Sequence, residues 1–311
     1  MLFAMLFFLL GASILVMAAD QLVLGSGRLA ERLGIAPVVV GVVVLGFGTS
    51  TPELLVTATA AIRGEGGLAA AGLAGANMIN LTLVLGVCGL AGPLAVRSAV
   101  LRREAPFAVA AVALFAVVLL RGPDPLGGAV CAVGLVLLVA ALVRTARSAP
   151  DDPIAVETST VLADGSAHSL ARESARAAAG LAGLLLGAGL LVTGATDLAT
   201  LAGVPQAFIG FTLVALGTTL PELVTSLHAA RRAETDLLIG NLLGSDAFNS
   251  LAGGAVLGAF STGVRVPVLM VLAMAAVTPV AWGLLARGGG LTRPEAGLLV
   301  ALYLVLLPVL S

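Results

Sequence analysis

Two glutamates stand where this chain is otherwise apolar enough to cross a bilayer: Glu53 in Gly46–Leu54 (GFGTSTPEL) and Glu222 in Ala215–Leu223 (ALGTTLPEL). Each follows a proline, Pro52 or Pro221, which lacks a backbone donor and clashes with the preceding helical turn. Gly46, Gly48 and Gly217 loosen the helix just before it. Thr49, Ser50, Thr51, Thr218 and Thr219 put hydroxyls at the weakened points. A second polar cluster follows each motif: GANMIN at Gly75–Asn80 and GSDAFN at Gly244–Asn249. Ala76 and Asn80 are four residues apart, as are Ser245 and Asn249, so each pair shares a helix face. Asn77 and Asp246 fall between them, near what read as glycine-containing turns. Gathered at mid-depth, these carboxylates, hydroxyls, amides and freed backbone carbonyls form an all-oxygen set. Such a set suits hard cations such as Ca²⁺, Na⁺ or Mg²⁺, and with no His or Cys in it, zinc and copper are disfavoured.

The bland alternative is a protonated acid bonding a neighbouring carbonyl and holding helices together. Membrane hydrogen bonds of that kind average well under 2 kcal/mol. An ionised acid at the bilayer centre costs roughly 2.5–3.5 kcal/mol on the insertion scale. Duplicated glutamates beside prolines are a poor route to adhesion, so ion binding is the better reading. Two ionised glutamates also make an empty cavity hard to close away from water. One Ca²⁺, or two or more Na⁺, neutralises the pair and permits occlusion. A site that changes sides only when filled is an exchanger.

The elements that must position these groups follow from hydropathy. The chain has 311 residues, 59% of them hydrophobic, with a mean hydropathy of +1.12, which excludes a soluble domain and indicates an all-α polytopic membrane protein. The formal charge of −1 argues against a nucleic-acid partner. Ten apolar stretches are expected to span: 3–24, 34–62, 68–92, 104–120, 125–143, 177–201, 205–230, 236–260, 266–286 and 293–310. The first lacks a basic leader and runs on too long for a signal peptide. The second, third, seventh and eighth read as interrupted. Straight, 34–62 would extend roughly 43 Å against a core of roughly 30 Å, so a break or tilt is expected. The long polar stretch from Arg144 to Arg176, with His168 as a solvated loop residue, divides the chain into a first repeat (1–147), a linker (148–173) and a second repeat (174–311). Cys88 and Cys131 read as packed small hydrophobes.

Adding 169 carries Gly34 to Gly203, Gly41 to Gly210, Gly48 to Gly217, Thr49 to Thr218, Pro52 to Pro221 and Glu53 to Glu222. It also carries Arg63 to Arg232, Glu65 to Glu234, Gly75 to Gly244 and Asn80 to Asn249. Five expected spans separate each element from its copy, so the copies run in opposite directions: two inverted-topology five-helix repeats, with broken helices at a central ion site. Transporter sites lie at the interface of such halves. The sixteen basic residues are all Arg. With the N-terminus outside, only Arg63, Arg121 and Arg265 face outward, so both termini are expected outside the cell membrane and the linker in the cytoplasm. His228, two turns from Glu222 toward the inner surface, is a packing residue or a gate.

At these residues the sequence resembles the Ca²⁺/cation antiporter superfamily, in its prokaryotic Na⁺/Ca²⁺ exchanger branch. The signature repeats are GFGTSTPEL with GANMIN and ALGTTLPEL with GSDAFN. The resemblance implies that Glu53 and Glu222 are central Ca²⁺ ligands shared with Na⁺. Thr49 and Thr218 would add carbonyl and hydroxyl oxygens, and Ser50, Thr219 and Asn80 would line the site. Ser245 would be a Na⁺ ligand, and Gly46 and Ala215 would offer backbone carbonyls. It implies alternating access with Ca²⁺ and Na⁺ as cargo in the lipid bilayer, no cofactor, no enzymatic activity and no protein partner. The chain departs from the family pattern in three places. Ala76 replaces a serine, removing a hydroxyl and bearing on the number of Na⁺ sites. Asn249 stands where an Asp is common, which argues for K⁺ independence. Asp246 replaces an Asn and either caps a helix break or supplies a displaced acid.

Two competitors remain. H⁺-coupled exchange needs only that Glu53 and Glu222 release protons as Ca²⁺ binds. An intramembrane enzyme with paired acids would need two close Asp residues, and neither Asp20 nor Asp197 has that context.

Overall fold

The computed structural model describes residues 1–32, 46–95, 98–148, 169–231 and 235–309. Gly34, Gly41, the linker's Pro150–Pro153 stretch, His168, Arg232 and Glu234 lie outside them. The chain is almost wholly helical: α1 (Leu2–Arg32), α2 (Thr51–Ile62), α3 (Gly66–Ala91), α4 (Ser98–Arg121) and α5 (Pro125–Ser148) form the first half. The second half comprises α6 (Leu170–Ala202), α7 (Gln206–Thr218), α8 (Leu220–Arg231), α9 (Thr235–Phe260), α10 (Val268–Gly288) and α11 (Arg293–Val309). Two short strands, β1 (Leu94–Ala95) and β2 (Gly290–Leu291), pair antiparallel and tie the halves together at one end.

Among the described residues six helices are long and apolar enough to cross a membrane, and the bent pair α7/α8 makes a seventh. That measure does not reach ten. Residues 33–45, most of the stretch before α2, lie outside the described residues, α11 has 17 residues, and α9 carries polar groups through its middle. The membrane helices are also longer than hydropathy suggests. Helix α1 continues to Arg32, and α6 starts at Leu170, where the Ser169 hydroxyl accepts from the Arg172 N–H at 3.2 Å. It ends at Gly203, whose φ of 66° only glycine adopts cheaply.

Helices α1 and α6 are each other's copies and pack antiparallel along their length. Gly11, Gly25, Gly180, Gly187 and Gly194 let the two backbones touch: a Cβ on Gly187 would lie 3.0 Å from the Gly11 carbonyl. Close approach through small residues is how membrane helices gain packing where water supplies no drive. At one end of this pair the buried Glu173 sits between Arg28 (3.8 Å) and Arg176 (3.5 Å). Farther along, Arg63, just after α2, donates to the Gly189 carbonyl at 3.2 Å and to the Thr193 hydroxyl at 2.9 Å, fastening α2 to α6.

The expected breaks appear in spans two and seven. A one-turn stub at Gly46–Gly48 precedes two turn residues and α2, and α7 meets α8 at 46° across Thr219. Spans three and eight are not interrupted: α9 is continuous through Gly244, Ser245 and Asp246, and α3 through Gly75. Gly75 serves packing instead, since a Cβ there would strike the Phe211 carbonyl of α7. Nothing crowds Gly244. Within α3 and α7 the hydrogen bonding loosens to π geometry at Asn80–Val84 and Gly210–Val214, a local widening that recurs at functional sites.

Candidate ion-binding site

Helix interruption in the lipid core leaves backbone groups in need of partners, and this fold supplies them by crossing the two interruptions at its centre. Glu53, in the first turn of α2, is 2% exposed, and Glu222, in the first turn of α8, is 0% exposed. The two carboxylates are close enough to repel each other. Each is flanked by hydroxyls of the opposite half: Thr218 and Thr219 beside Glu53, Thr49 and Ser50 beside Glu222.

The contacts around Glu222 are the denser. Ser50 Oγ lies 3.3 Å from Glu222 Oε1 and 2.5 Å from Ser245 Oγ, and Ser245 Oγ is 3.5 Å from the same carboxylate oxygen. Asn80 Nδ2 donates to Asp246 Oδ1 at 2.9 Å and approaches Ser245 Oγ at 3.4 Å. Asp246 is therefore no helix cap. It is a fully buried acid in mid-helix, facing Asn80 and within electrostatic reach of Glu222. Near Glu53 the Ala215 carbonyl accepts from the Thr219 N–H (3.0 Å), the Thr219 hydroxyl (2.6 Å) and the Thr218 hydroxyl (3.2 Å). Three oxygens thus converge there. Gly46 opens the stub that leads to Thr49. Asn249 is fully buried with both amide atoms unpartnered.

Most telling are the oxygens without donors. Both oxygens of Glu53, Oε2 of Glu222, Oδ2 of Asp246, Oδ1 of Asn80 and of Asn249, and Oγ1 of Thr49 are buried with no hydrogen-bond partner. Buried acceptors are nearly always satisfied, and oxygens left without donors around a buried carboxylate pair are ones that a desolvated cation can satisfy. Among the described residues no three His, Cys, Asp or Glu side chains gather tightly enough to hold a metal alone. Hydroxyl, amide and carbonyl oxygens must complete any ion's shell, as hard cations accept. A narrow cleft lined by Glu53, Thr57, Ala60, Leu68, Gly72 and Thr218 leads away from Glu53 along α2 and α3.

Sequence reasoning missed several features. Asn77 donates to Ser250 Oγ at 2.8 Å across the halves, and Phe47 stacks on Phe248 with ring centroids 4.4 Å apart. The buried amide at Asn77 was a visible signal, whereas the π segments left none. His228 is exposed in the last turn of α8. Cys88 and Cys131 are free and buried.

Similarity to known proteins extends over nearly the whole chain. The family model described as sodium/calcium exchanger protein matches residues 3–148 and 175–310. The chain is 36% identical over 254 residues to the putative antiporter CaxA of Alkalimonas amylolytica, covering 81% of this chain and 79% of that one. It is 26% identical to the sodium/calcium exchanger MaX1 of Methanosarcina acetivorans, covering 78% and 79% respectively. A solved structure of the sodium–calcium exchanger NCX_Mj superposes with a TM-score of 0.67 at 28% identity, covering 100% of this chain and 99% of that one. These neighbours are transporters with ions as cargo, which removes the intramembrane-enzyme reading. The chain belongs to the sodium/calcium exchanger protein family and is a multi-pass membrane antiporter of cations.

Proposed function

We propose that the protein exchanges Ca²⁺ for Na⁺ across the cell membrane by alternating access, independently of K⁺, and works as a Ca²⁺ exporter. Both termini lie outside, and the linker 148–173 joins the repeats 1–147 and 174–311 in the cytoplasm. Glu53 and Glu222 hold Ca²⁺ between them. Thr49, Thr218, Ser50, Thr219, Asn80, Ser245, Asn249 and Asp246, with the carbonyls of Gly46 and Ala215, complete the shells of Ca²⁺ and Na⁺. The observation that carries this reading is the buried pair of carboxylates, one from each half, of which both Glu53 oxygens and Glu222 Oε2 lack donors. An empty pair is costly to seal from water, and a cation-filled pair is not. The relative named sodium/calcium exchanger MaX1 supports Na⁺ as counter-ion.

H⁺ is the competing counter-ion, because the same unpartnered carboxylate oxygens accept protons as readily as metal ions. Uptake of radiolabelled Ca²⁺ into proteoliposomes under separate Na⁺, K⁺ and H⁺ gradients separates the two. Flux driven by Na⁺ at equal pH, and unchanged by K⁺, is expected. Flux driven by a pH gradient alone would establish H⁺ coupling instead.

A further inference from the structure

Asn77, Ser250 and Thr278 stand outside the groups assigned to the ion, yet they are among the most deeply buried polar side chains, none more than 1% exposed. They belong to the junction of α3, α9 and α10. Asn77 Nδ2 donates to Ser250 Oγ at 2.8 Å and approaches Met274 Sδ at 3.9 Å. Thr278 follows Met274 by one turn, so the two share a face of α10. Hydroxyls inside other helices of this fold turn back on their own backbone. Thr82 donates to the Met78 carbonyl at 2.6 Å, Thr193 to Gly189 at 2.8 Å, Thr212 to Phe208 at 2.7 Å and Thr225 to Pro221 at 2.9 Å. Thr278 makes no such bond, and its Oγ1 has no partner. Asn77 Oδ1 has no donor either. Ser250, the acceptor in its bond to Asn77, keeps its own proton to give.

One acceptor and two donors thus border a junction otherwise walled by apolar side chains. Buried polar groups are nearly always satisfied, and a buried water makes about three hydrogen bonds to groups of this kind. Asn77, Ser250, Met274 and Thr278 are all neutral, so a bare cation would lack compensating charge there. We propose that the junction holds one ordered water, which accepts from Ser250 and Thr278 and donates to Asn77 Oδ1. The bridge fixes α10 against α3, which carries Asn80 three residues after Asn77, and against α9, which carries Asn249 next to Ser250. Asn77 and Thr278 are therefore positioning residues: losing the bridge loosens the amides of the ion site and removes none of them. The water stands apart from the exchange reading, and its effect on Ca²⁺ rests on that reading.

A high-resolution crystal structure, thermal unfolding and Ca²⁺ flux in proteoliposomes test this together. The wild type should show a water peak within hydrogen-bond reach of Asn77 Oδ1 and Thr278 Oγ1. Asn77→Ala and Thr278→Val should each lower the melting temperature. The double variant should melt no lower than the weaker single one, because both sever the same bridge. Thr278→Val should raise the Ca²⁺ concentration for half-maximal flux about fivefold at an unchanged maximal rate, and Thr278→Ser should restore it. A dry junction, additive losses in the double variant, or Tl⁺ occupying the peak after soaking overturns the water. An unchanged Ca²⁺ dependence in Thr278→Val overturns the positioning role. Wild-type protein without Ca²⁺ flux overturns the exchange reading and leaves the water, read by diffraction and melting, standing.

Discussion

Glu53 and Glu222 occupy matching places in their repeats, and each is flanked by hydroxyls of the opposite half, Glu222 also by Ser245 of its own. Ser50 shows why this matters: one hydroxyl from the first half meets Glu222 and Ser245 of the second. A hydrogen bond to a charged group contributes about 1.5–3 kcal/mol. Ser50→Ala should therefore weaken apparent Na⁺ affinity on the order of 10–100-fold, read from the Na⁺ dependence of Ca²⁺ flux. An unchanged dependence would mean that Ser50 holds the empty site together but does not touch the ion. Glu53→Gln keeps the shape and removes a charge from the pair, and should abolish Ca²⁺ flux. Folded protein with near-normal flux would remove Glu53 from the site.

At the scale of elements, the breaks in spans two and seven were legible because proline and glycine alter the backbone itself. Pro221 after Thr219 marks the 46° bend directly. The same reasoning misjudged α3 and α9. Glycine in a membrane helix serves close packing as often as interruption, and only the Phe211 carbonyl against Gly75 tells the two apart. The π segments were not legible, since one extra residue per turn changes neither hydropathy nor composition. Asp246 was legible as an acid but not as a partner of Asn80, a contact between helices distant in sequence. The α1/α6 pair has its own test. Gly187→Val would push branched carbons into the Gly11 backbone, and overpacking of this kind costs about 1–3 kcal/mol. The variant should melt several degrees lower with Ca²⁺ binding intact. An unchanged melting temperature would mean that the pair does not pack through this glycine.

For the whole molecule, inversion of the repeats supplies two ways of opening one central site with similar energies. Glu53 and Glu222 are buried between the two halves, so in the exchange reading proposed above the cargo is held by both halves together. Counter-ion number then decides whether voltage helps: each net charge moved is coupled to about 2.3 kcal/mol per 100 mV. The central claim is that the carboxylate pair changes sides only when a cation fills it. Efflux of radiolabelled Ca²⁺ from proteoliposomes tests it most directly, comparing an external medium containing Na⁺ with one in which choline replaces every exchangeable metal ion at equal pH. The expected result is rapid efflux into Na⁺, almost none into choline, and neither in Glu222→Gln. Equally rapid efflux into choline with no pH gradient formed would show that the empty site crosses freely, and would contradict it.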